Sequence, residues 1–225
     1  MTIEFRDVSH SFGQRPVLHN VSLSITERRV GIIGANGSGK STLARMINAL
    51  IVPDAGTVTV NGLDAARRRR EVRRQVGFIF ADPDRQIIMP TVGEDIELSL
   101  TRSGLDRAER RRRAADVAGR FGLGEHTDHP AGRLSGGQKQ LLALASILVT
   151  EPQIIVADEP TTLLDLRNAR MLRRVFATLA QQLVVVSHDL ELVEDFDRVL
   201  VIDEGRVVLD DTPDIAVPAY RKMMA

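Results

Sequence analysis

The sequence contains no cysteine. Disulfide bonds and cysteine-ligated metal sites are therefore excluded, because both require thiol sulfur. A net charge is also absent, since 30 Lys and Arg residues are balanced by 30 Asp and Glu residues. A general DNA- or RNA-binding protein usually carries a basic excess, so this balance argues against nucleic acid as a partner.

Long apolar runs and a leader segment are missing as well. The longest apolar stretch, around residues 141–149, is far below the roughly 18 residues that a membrane-spanning helix needs. The first residues, MTIEFRDVSHSF, carry a charge every few positions and no apolar core, so we expect no signal peptide. These observations predict a soluble, cytoplasmic chain, and 225 residues suit one domain with a subdomain.

Short apolar segments typical of strands alternate with helical segments along the chain. Strands are predicted at residues 2–8, 17–25, 29–33, 56–60, 76–80, 154–157, 183–186, 199–202 and 206–209. Helices are predicted at residues 41–51, 67–74, 91–121 and 138–149. This order predicts an α/β fold with a mostly parallel sheet covered by helices. The arginine runs 67–70 and 110–113 are expected to be solvated helix faces, with contact to lipid head groups or a partner as the alternative.

Residues 34–41 read GANGSGKS, the pattern of a phosphate-binding loop between a strand and a helix. Glycines let successive backbone N–H groups point at a phosphate, and the helix N-terminus adds partial positive charge. Lys40 supplies a full charge to the β- and γ-phosphates, and the Ser41 hydroxyl is a ligand for Mg²⁺. The predicted nucleotide-binding set here is Gly34, Ala35, Asn36, Gly37, Ser38, Gly39, Lys40, Ser41 and Thr42.

Residues 154–159 read IIVADE, a buried strand that ends in two carboxylates. Ligands of open α/β sheets bind at this edge. Asp158 is predicted to hold Mg²⁺, and Glu159 to activate a water for attack on the γ-phosphate. The alternative is a pair of acids that cap the next loop.

The stretch LSGGQ at residues 134–138, together with GANGSGKS before it and IIVADEP after it, resembles the ATP-binding cassette (ABC) ATPases over essentially the whole chain. The resemblance implies the P-loop ABC ATPase fold in a single domain, 1–225. Residues 1–81 and 151–225 would form the nucleotide-binding core with an N-terminal antiparallel β subdomain, and residues 82–150 a helical subdomain. ATP and Mg²⁺ are the implied cofactors.

The same resemblance implies a head-to-tail dimer in which each LSGGQ covers the ATP of the other subunit. The residues that would contact the partner's ATP are Ser135, Gly136, Gly137, Gln138 and Asp165. His188, in VVVSHD, matches a histidine that senses the γ-phosphate and would join Glu159 and Lys40 in catalysis. Phe12 occupies the place of an aromatic residue that stacks on adenine, with a core phenylalanine as the alternative.

One position departs from the family pattern. The glutamine that normally follows the strand at 76–80 is replaced by Ala81, which leaves coupling through that residue in doubt. Asp82, next to it, is a weak candidate to substitute through a water molecule.

The stretch GFIFADPDRQIIMPTVGEDI is similar to the ATPases of energy-coupling-factor (ECF) importers. Gln86 would then line a groove for the membrane subunit. This likeness implies a homodimer or heterodimer on the cytoplasmic face of the membrane, with a transmembrane coupling protein and a substrate-capture membrane protein. Biotin is the favoured cargo, and cobalt or nickel the alternative. Three rival classes are a cassette ATPase acting on nucleic acid or ribosomes, a P-loop phosphotransferase and a regulator without turnover.

Overall fold

The computed structural model describes residues 1–224, and the chain divides into two compact units. Unit 1 comprises residues 1–78, 153–159 and 179 onwards, and unit 2 comprises residues 79–152 and 160–178. Residues 160–178, which the sequence-based division assigns to the core, cluster with the helical unit instead.

Ten strands and seven α-helices make up the described chain. The strands are β1 (Ile3–Phe12), β2 (Arg15–Ile25), β3 (Arg29–Ile33), β4 (Ala55–Val60), β5 (Leu63–Asp64), β6 (Val76–Ile79), β7 (Ile154–Asp158), β8 (Gln182–Val186), β9 (Arg198–Asp203) and β10 (Arg206–Asp211). The helices are α1 (Lys40–Ile47), α2 (Arg69–Gln75), α3 (Val92–Ser99), α4 (Arg107–Arg120), α5 (Gly136–Leu148), α6 (Leu166–Thr178) and α7 (Pro213–Met223).

The predicted α/β fold is confirmed in the larger sheet, which has the order β10-β9-β3-β8-β7-β6. The neighbours β9, β3, β8 and β7 run parallel, and β10 pairs antiparallel with β9. Every residue of β7 and β8 is buried. Parallel strands covered on both faces read as continuous apolar runs, which is why IIVA and LVVV gave clear strand signals.

A second, antiparallel sheet opens the chain in the order β2-β1-β4-β5. Strand β1 continues to Phe12 rather than ending at Val8, and Phe12 pairs with Arg15 across the turn to β2. The extension depends on cross-strand pairing with β2, which a local apolar pattern does not reveal.

Unit 2 is helical and has its own apolar core. The side chains that pack there come from α3, α4, α5 and the loops between them, and they include Ile96, Leu100, Val117, Leu123, Leu142 and Ala145. The predicted helix at 91–121 is two helices, because the chain turns at Gly104 with φ 79° and Asp106 caps α4. None of the helices in residues 1–224 combines the length and apolar character required to span a bilayer.

Candidate functional site

The predicted phosphate loop lies between β3 and α1 in unit 1. Gly34 adopts φ 152°, and a Cβ there would lie 2.0 Å from the Ile202 carbonyl oxygen, so only glycine fits. The Lys40 ammonium donates to the carbonyl oxygens of Gly34 and Ala35, each at 2.8 Å. The lysine therefore links the two ends of the loop through these hydrogen bonds and stabilises its conformation.

Lys40 is buried, with 5% of its surface exposed. Burial lowers the pKa of Lys40, and the carboxylates of Glu159 and Asp158 oppose that shift. A partly desolvated ammonium gains more from an approaching phosphate than a solvated one, because the interaction is less screened. The geometry thus suits the phosphate-binding role that the motif predicts.

Asp158 ends β7 and is buried beside the first turn of α1. One carboxylate oxygen accepts a hydrogen bond from the Ser41 hydroxyl at 2.6 Å, and the other accepts from the Arg45 guanidinium at 3.0 Å. Hydroxyl and carboxylate are thus paired at the C-terminal edge of the sheet, where ligands of such sheets bind.

Glu159 follows immediately, with φ 54°, a left-handed conformation that is uncommon for a residue other than glycine. Its backbone N–H donates to the Val186 carbonyl oxygen at 2.9 Å, which ties it to the end of β8. One carboxylate oxygen lies 2.6 Å from His188 Nδ1 and also accepts from the His188 backbone N–H at 3.3 Å. The predicted base and the predicted γ-phosphate sensor therefore form one hydrogen-bonded pair.

A cavity of about 360 Å³ adjoins these groups in unit 1. Its lining includes most of the predicted nucleotide set, namely Phe12, Asn36, Gly37, Gly39, Lys40, Ser41 and Thr42, and also Glu159. Gly34, Ala35 and Ser38 do not line it. The Phe12 side chain is 54% exposed, which excludes the alternative of a core phenylalanine.

Unit 2 contains the second predicted constellation. Ser135 caps α5, and Ser135 and Gln138 form a reciprocal capping box: the Gln138 backbone N–H donates to Ser135 Oγ, and the Ser135 N–H donates to Gln138 Oε1. This cap starts α5 at Gly136, two residues before the predicted start. Ser135 and Gly136 are exposed, as a surface that meets a partner would require.

The two remaining residues of this constellation lie against α6. A Cβ at Gly137 would come within 2.3 Å of Asn168, so the glycine permits close packing of α5 on that side chain. Asp165 accepts a hydrogen bond from the Asn168 backbone N–H at 2.8 Å. Asn168 thus contacts both predicted partner-facing segments within unit 2.

Gln86 is held inside unit 2 by two backbone contacts. The side-chain oxygen Oε1 of Gln86 accepts from the Phe80 N–H, and the side-chain nitrogen Nε2 donates to the Ala143 carbonyl oxygen, each at 3.3 Å. The Asp82 carboxylate accepts from the Asp84 N–H and the Arg85 guanidinium. It is therefore engaged locally, which weakens the idea that it substitutes for the glutamine missing at Ala81.

Comparison with known protein families matches residues 18–162 to the model described as ABC transporter. That span is more than half of the chain. The chain belongs to the ABC transporter family.

Named relatives of this ABC protein cover it almost completely. A putative ABC transporter ATP-binding protein of Deinococcus radiodurans is 50% identical over 99% of this chain and 98% of the relative. The biotin transport ATP-binding protein BioM of Rhizobium etli is 46% identical over the full length of both. The cobalt import ATP-binding protein CbiO of Syntrophus aciditrophicus is 40% identical over 96% of this chain and 80% of the relative.

A relative in Caldanaerobacter subterraneus, named energy-coupling factor transporter ATP-binding protein EcfA1, is 40% identical over 88% of this chain and 74% of its own length. Among solved structures, CbiO1 of Clostridium perfringens, part of the ABC transporter complex CbiONQ, aligns with a TM-score of 0.85 and 28% identity over 99% of this chain and 92% of that chain. A dimeric ATP-binding cassette in a post-hydrolysis state with ADP and phosphate aligns with a TM-score of 0.81 and 29% identity, over 94% and 98%. The predicted ABC ATPase fold, ATPase activity and ECF-type resemblance are confirmed.

The donor set of this ABC ATPase suits Mg²⁺. Protein-bound Mg²⁺ commonly takes one or two carboxylates and completes its shell with substrate phosphates and water. Ser41 and Asp158 provide a hydroxyl and a carboxylate 2.6 Å apart. Within residues 1–224, no three or more His, Asp or Glu side chains form a group that would hold a metal. The Ser41 hydroxyl and the Asp158 carboxylate leave the other positions of such an ion to nucleotide phosphates and water.

Sequence reasoning missed two arginines beside the predicted nucleotide- and Mg²⁺-binding residues. Arg45 lies four residues after Ser41 on α1, so the helical repeat places both on one face, beside Asp158. Arg15 lines the 360 Å³ cavity with Phe12, its partner across the β1–β2 turn. Arg45 is recoverable from its spacing, whereas Arg15 becomes visible only through the strand register.

Proposed function

We propose that this chain is the ATP-hydrolysing subunit of an ECF-type importer whose cargo is biotin. The observation that carries the cargo assignment is the similarity to the biotin transport ATP-binding protein BioM. The two sequences are 46% identical, and the alignment covers the full length of both. The cobalt import relative supports a second candidate, uptake of cobalt or nickel, at 40% identity and with a longer chain.

Hydrolysis in this proposal depends on groups gathered at one edge of the larger sheet. Lys40 and the loop N–H groups bind and orient the β- and γ-phosphates, while Phe12 stacks on the adenine. Ser41 and Asp158 would hold Mg²⁺, which would offset the negative charge that develops on the phosphates. Glu159 accepts a proton from the attacking water, and His188 positions both Glu159 and the γ-phosphate oxygen.

We infer that two copies, or this chain and a second ABC ATPase, close head to tail over two ATP molecules. Ser135, Gly136, Gly137, Gln138 and Asp165 of one subunit would face the ATP held by the other. The exposed N-terminus of α5 and the dimeric solved relative support this arrangement. Closure then moves the helical unit, and product release reopens the dimer.

The membrane partners in this proposal are a transmembrane coupling protein and a substrate-capture protein, with this chain bound peripherally on the cytoplasmic side. The Gln86 side chain anchors its segment through hydrogen bonds to the backbone of Phe80 and Ala143. Two residues further on, the apolar side chain of Ile88 is 74% exposed, and a membrane subunit would cover it. The solved relative from the CbiONQ complex supports an assembly of this kind.

Uptake by the native host tests the cargo. The gene is deleted, and uptake of labelled biotin and of labelled cobalt is measured with wild type or Glu159→Gln returned on a plasmid. The proposal expects biotin uptake to fall, to recover with wild type and not to recover with Glu159→Gln, while cobalt uptake stays unchanged. Loss of cobalt uptake alone would replace the biotin assignment with the second candidate, and loss of neither would overturn both.

Affinity purification of the tagged chain from host membranes in mild detergent tests the partners. Mass spectrometry should identify a multi-helix capture protein and a coupling protein in the complex. Ribosomal or DNA-repair proteins without any membrane protein would leave the ATPase in place but contradict its role in transport.

A further inference from the structure

Two histidines and the signature motif (residues 134–138) form a continuous hydrogen-bonded chain inside unit 2. His129 Nδ1 lies 2.8 Å from His126 Nδ1, and His126 Nε2 lies 3.3 Å from Gln138 Nε2. Gln138 Oε1 in turn lies 2.9 Å from the Ser135 backbone nitrogen. The chain connects a turn outside the motif to the residue that caps α5.

Donor and acceptor chemistry assigns the protons along this chain. A backbone N–H can only donate, so the Gln138 atom next to Ser135 must be the carbonyl oxygen. The other end of that amide is then an NH₂ group, which can only donate to His126. Nε2 of His126 must therefore be an unprotonated acceptor.

The proton of His126 consequently resides on Nδ1. There it donates to Nδ1 of His129, which accepts and carries its own proton on Nε2. His126 is thus fixed as a neutral ring in one of its two tautomers, and the choice is set by Gln138 on one side and His129 on the other.

The backbone around His126 is held independently of these side chains. Val92 and Gly93, at the start of α3, donate to the carbonyl oxygens of His129 and Thr127, and the His129 N–H donates to the His126 carbonyl oxygen. A change of the His126 side chain should therefore leave the turn in place.

We propose that His126 is a positioning residue for the signature motif, in which it holds the Gln138 amide so that Ser135 stays capped in one orientation. The functional part of this inference rests on the proposed contact of Ser135 with a partner's ATP. With the Ser135 N–H bonded to Gln138 and its Oγ accepting from the Gln138 N–H, the hydroxyl proton remains for the γ-phosphate.

Protonation of His126 would break this arrangement. A proton on Nε2 opposes the Gln138 NH₂ group, and rotation of the amide to present oxygen to His126 would turn the NH₂ group towards the Ser135 N–H. The turn itself carries Glu125 and Asp128, and the helices that contact it or carry Gln138 include the charged residues Glu94 on α3, Arg120 on α4 and Lys139 on α5. Glu94 bonds Thr91, and Lys139 pairs with Asp84.

Nitrogen-15 NMR of the histidine rings in the nucleotide-free chain tests the assigned tautomer without any activity measurement. We expect His126 to carry its proton on Nδ1 at pH 8. In Gln138→Glu the side chain can only accept, so His126 should acquire a proton on Nε2. A wild-type His126 protonated on Nε2, or a ring that does not respond to Gln138→Glu, would overturn the proposal.

ATP hydrolysis by the assembled transporter tests the positioning role. His126→Leu removes the acceptor and should lower kcat by roughly tenfold, while nucleotide affinity of the isolated chain stays unchanged. His126→Gln offers an oxygen acceptor to the Gln138 NH₂ group and should recover most of the activity. Asp128→Asn, an exposed neighbour, is the matched control and should behave as wild type.

The outcomes separate this inference from the proposed function. If His126→Leu and His126→Gln are equally impaired or equally active, the acceptor role is contradicted. Ser135→Arg tests the partner contact separately, because it places a long cation where the partner's γ-phosphate would lie. If the NMR result is as expected but this variant still hydrolyses ATP, the contact of Ser135 with a partner's ATP is contradicted and the tautomer of His126 is not.

Discussion

At the level of single residues, Glu159 carries a conformational cost at the predicted catalytic position. It is one of the few residues other than glycine with positive φ, at 54°, a conformation that costs of order 1–3 kcal/mol where the surroundings impose it. The Glu159 N–H bond to the Val186 carbonyl oxygen and the carboxylate contact with His188 hold Glu159 in this conformation. The strain indicates that the position of the carboxylate matters more than local stability.

Glu159→Gln should slow ATP hydrolysis by at least about 10²-fold, because the amide keeps the size of the side chain but cannot accept the proton of the attacking water. Phosphate release and equilibrium ATP binding are measured on the same preparation, and binding should persist. Glu151→Gln, the same change at an exposed position, is the control. Near-normal turnover in Glu159→Gln would remove Glu159 from the role of base.

The residues of the nucleotide site could be predicted wherever one short segment contains them. GANGSGKS and ADE each place their own chemistry, because a loop between a strand and a helix and a strand end have fixed geometry. Glu159 and His188 come from two segments of the chain. Each was predicted from its own motif, but the 2.6 Å contact between them was not. The His126 chain carried no sequence signal, since its members meet only through the turn before α5.

At the scale of elements, the start of α5 depends on a close approach to α6. Gly137→Ala would bring Cβ within 2.3 Å of Asn168, whereas Gly136→Ala would find its nearest atom 3.8 Å away. Overpacking of this kind costs about 1–3 kcal/mol. Gly136→Ala should be neutral or stabilise by up to about 1 kcal/mol.

Urea unfolding of both variants checks this difference, and Asn168→Ala alone and combined with Gly137→Ala completes a double-mutant cycle. The combined variant should regain most of the stability that Gly137→Ala loses, because the Cγ and Oδ1 atoms of Asn168 at 2.3 Å are gone and only its Cβ, at 2.9 Å, remains. Equal stability of the two alanine variants would show that the helices are not in this contact.

Arg198 joins three segments of unit 1. Its guanidinium donates to both Asp210 oxygens at 2.6 Å, to Glu27 at 2.9 Å and to the Ser24 carbonyl oxygen at 2.7 Å. Arg198→Leu should lower the free energy of unfolding by about 1–3 kcal/mol, as expected for lost hydrogen bonds to charged groups. Arg6→Leu, which removes an exposed pair with Glu4, should cost at most about 1 kcal/mol.

The Arg198 effect should depend on pH. Burial pushes the pKa of Glu27 upward, but backbone hydrogen bonds and Arg198 outweigh it and hold the pKa below its ordinary value of 4.5. A lowered carboxylate pKa adds stability that is present above the unfolded-state pKa and lost as pH falls through the folded-state value. Urea unfolding at pH 7 and below pH 4 should therefore show a smaller Arg198→Leu effect in acid; a constant difference would contradict the pairing.

At the scale of the whole molecule, the predicted ATP contacts belong to different units. The phosphate loop, Asp158, Glu159 and His188 lie in unit 1, while Ser135, Gly137 and Asp165 lie in unit 2. Folding of the sheet gathers the first group, and the caps of α5 and α6 place the second. The proposed dimer predicts that a complete hydrolytic site takes one group from each of two chains.

Mixing two inactive variants tests that prediction. Ser135→Arg puts a long cation where the partner's γ-phosphate would contact the α5 N-terminus, and it should abolish hydrolysis while its own phosphate loop still binds ATP. Lys40→Ala removes the ammonium that braces the loop and should abolish hydrolysis with its signature motif intact. In a mixed dimer, one site combines the intact loop of the first chain with the intact motif of the second.

Partial hydrolysis should therefore return on mixing, in proportion to the mixed dimers counted by native mass spectrometry, because each such dimer holds one complete site. Mixed dimers without any recovered hydrolysis would contradict a site shared between subunits, as would Ser135→Arg that hydrolyses ATP by itself.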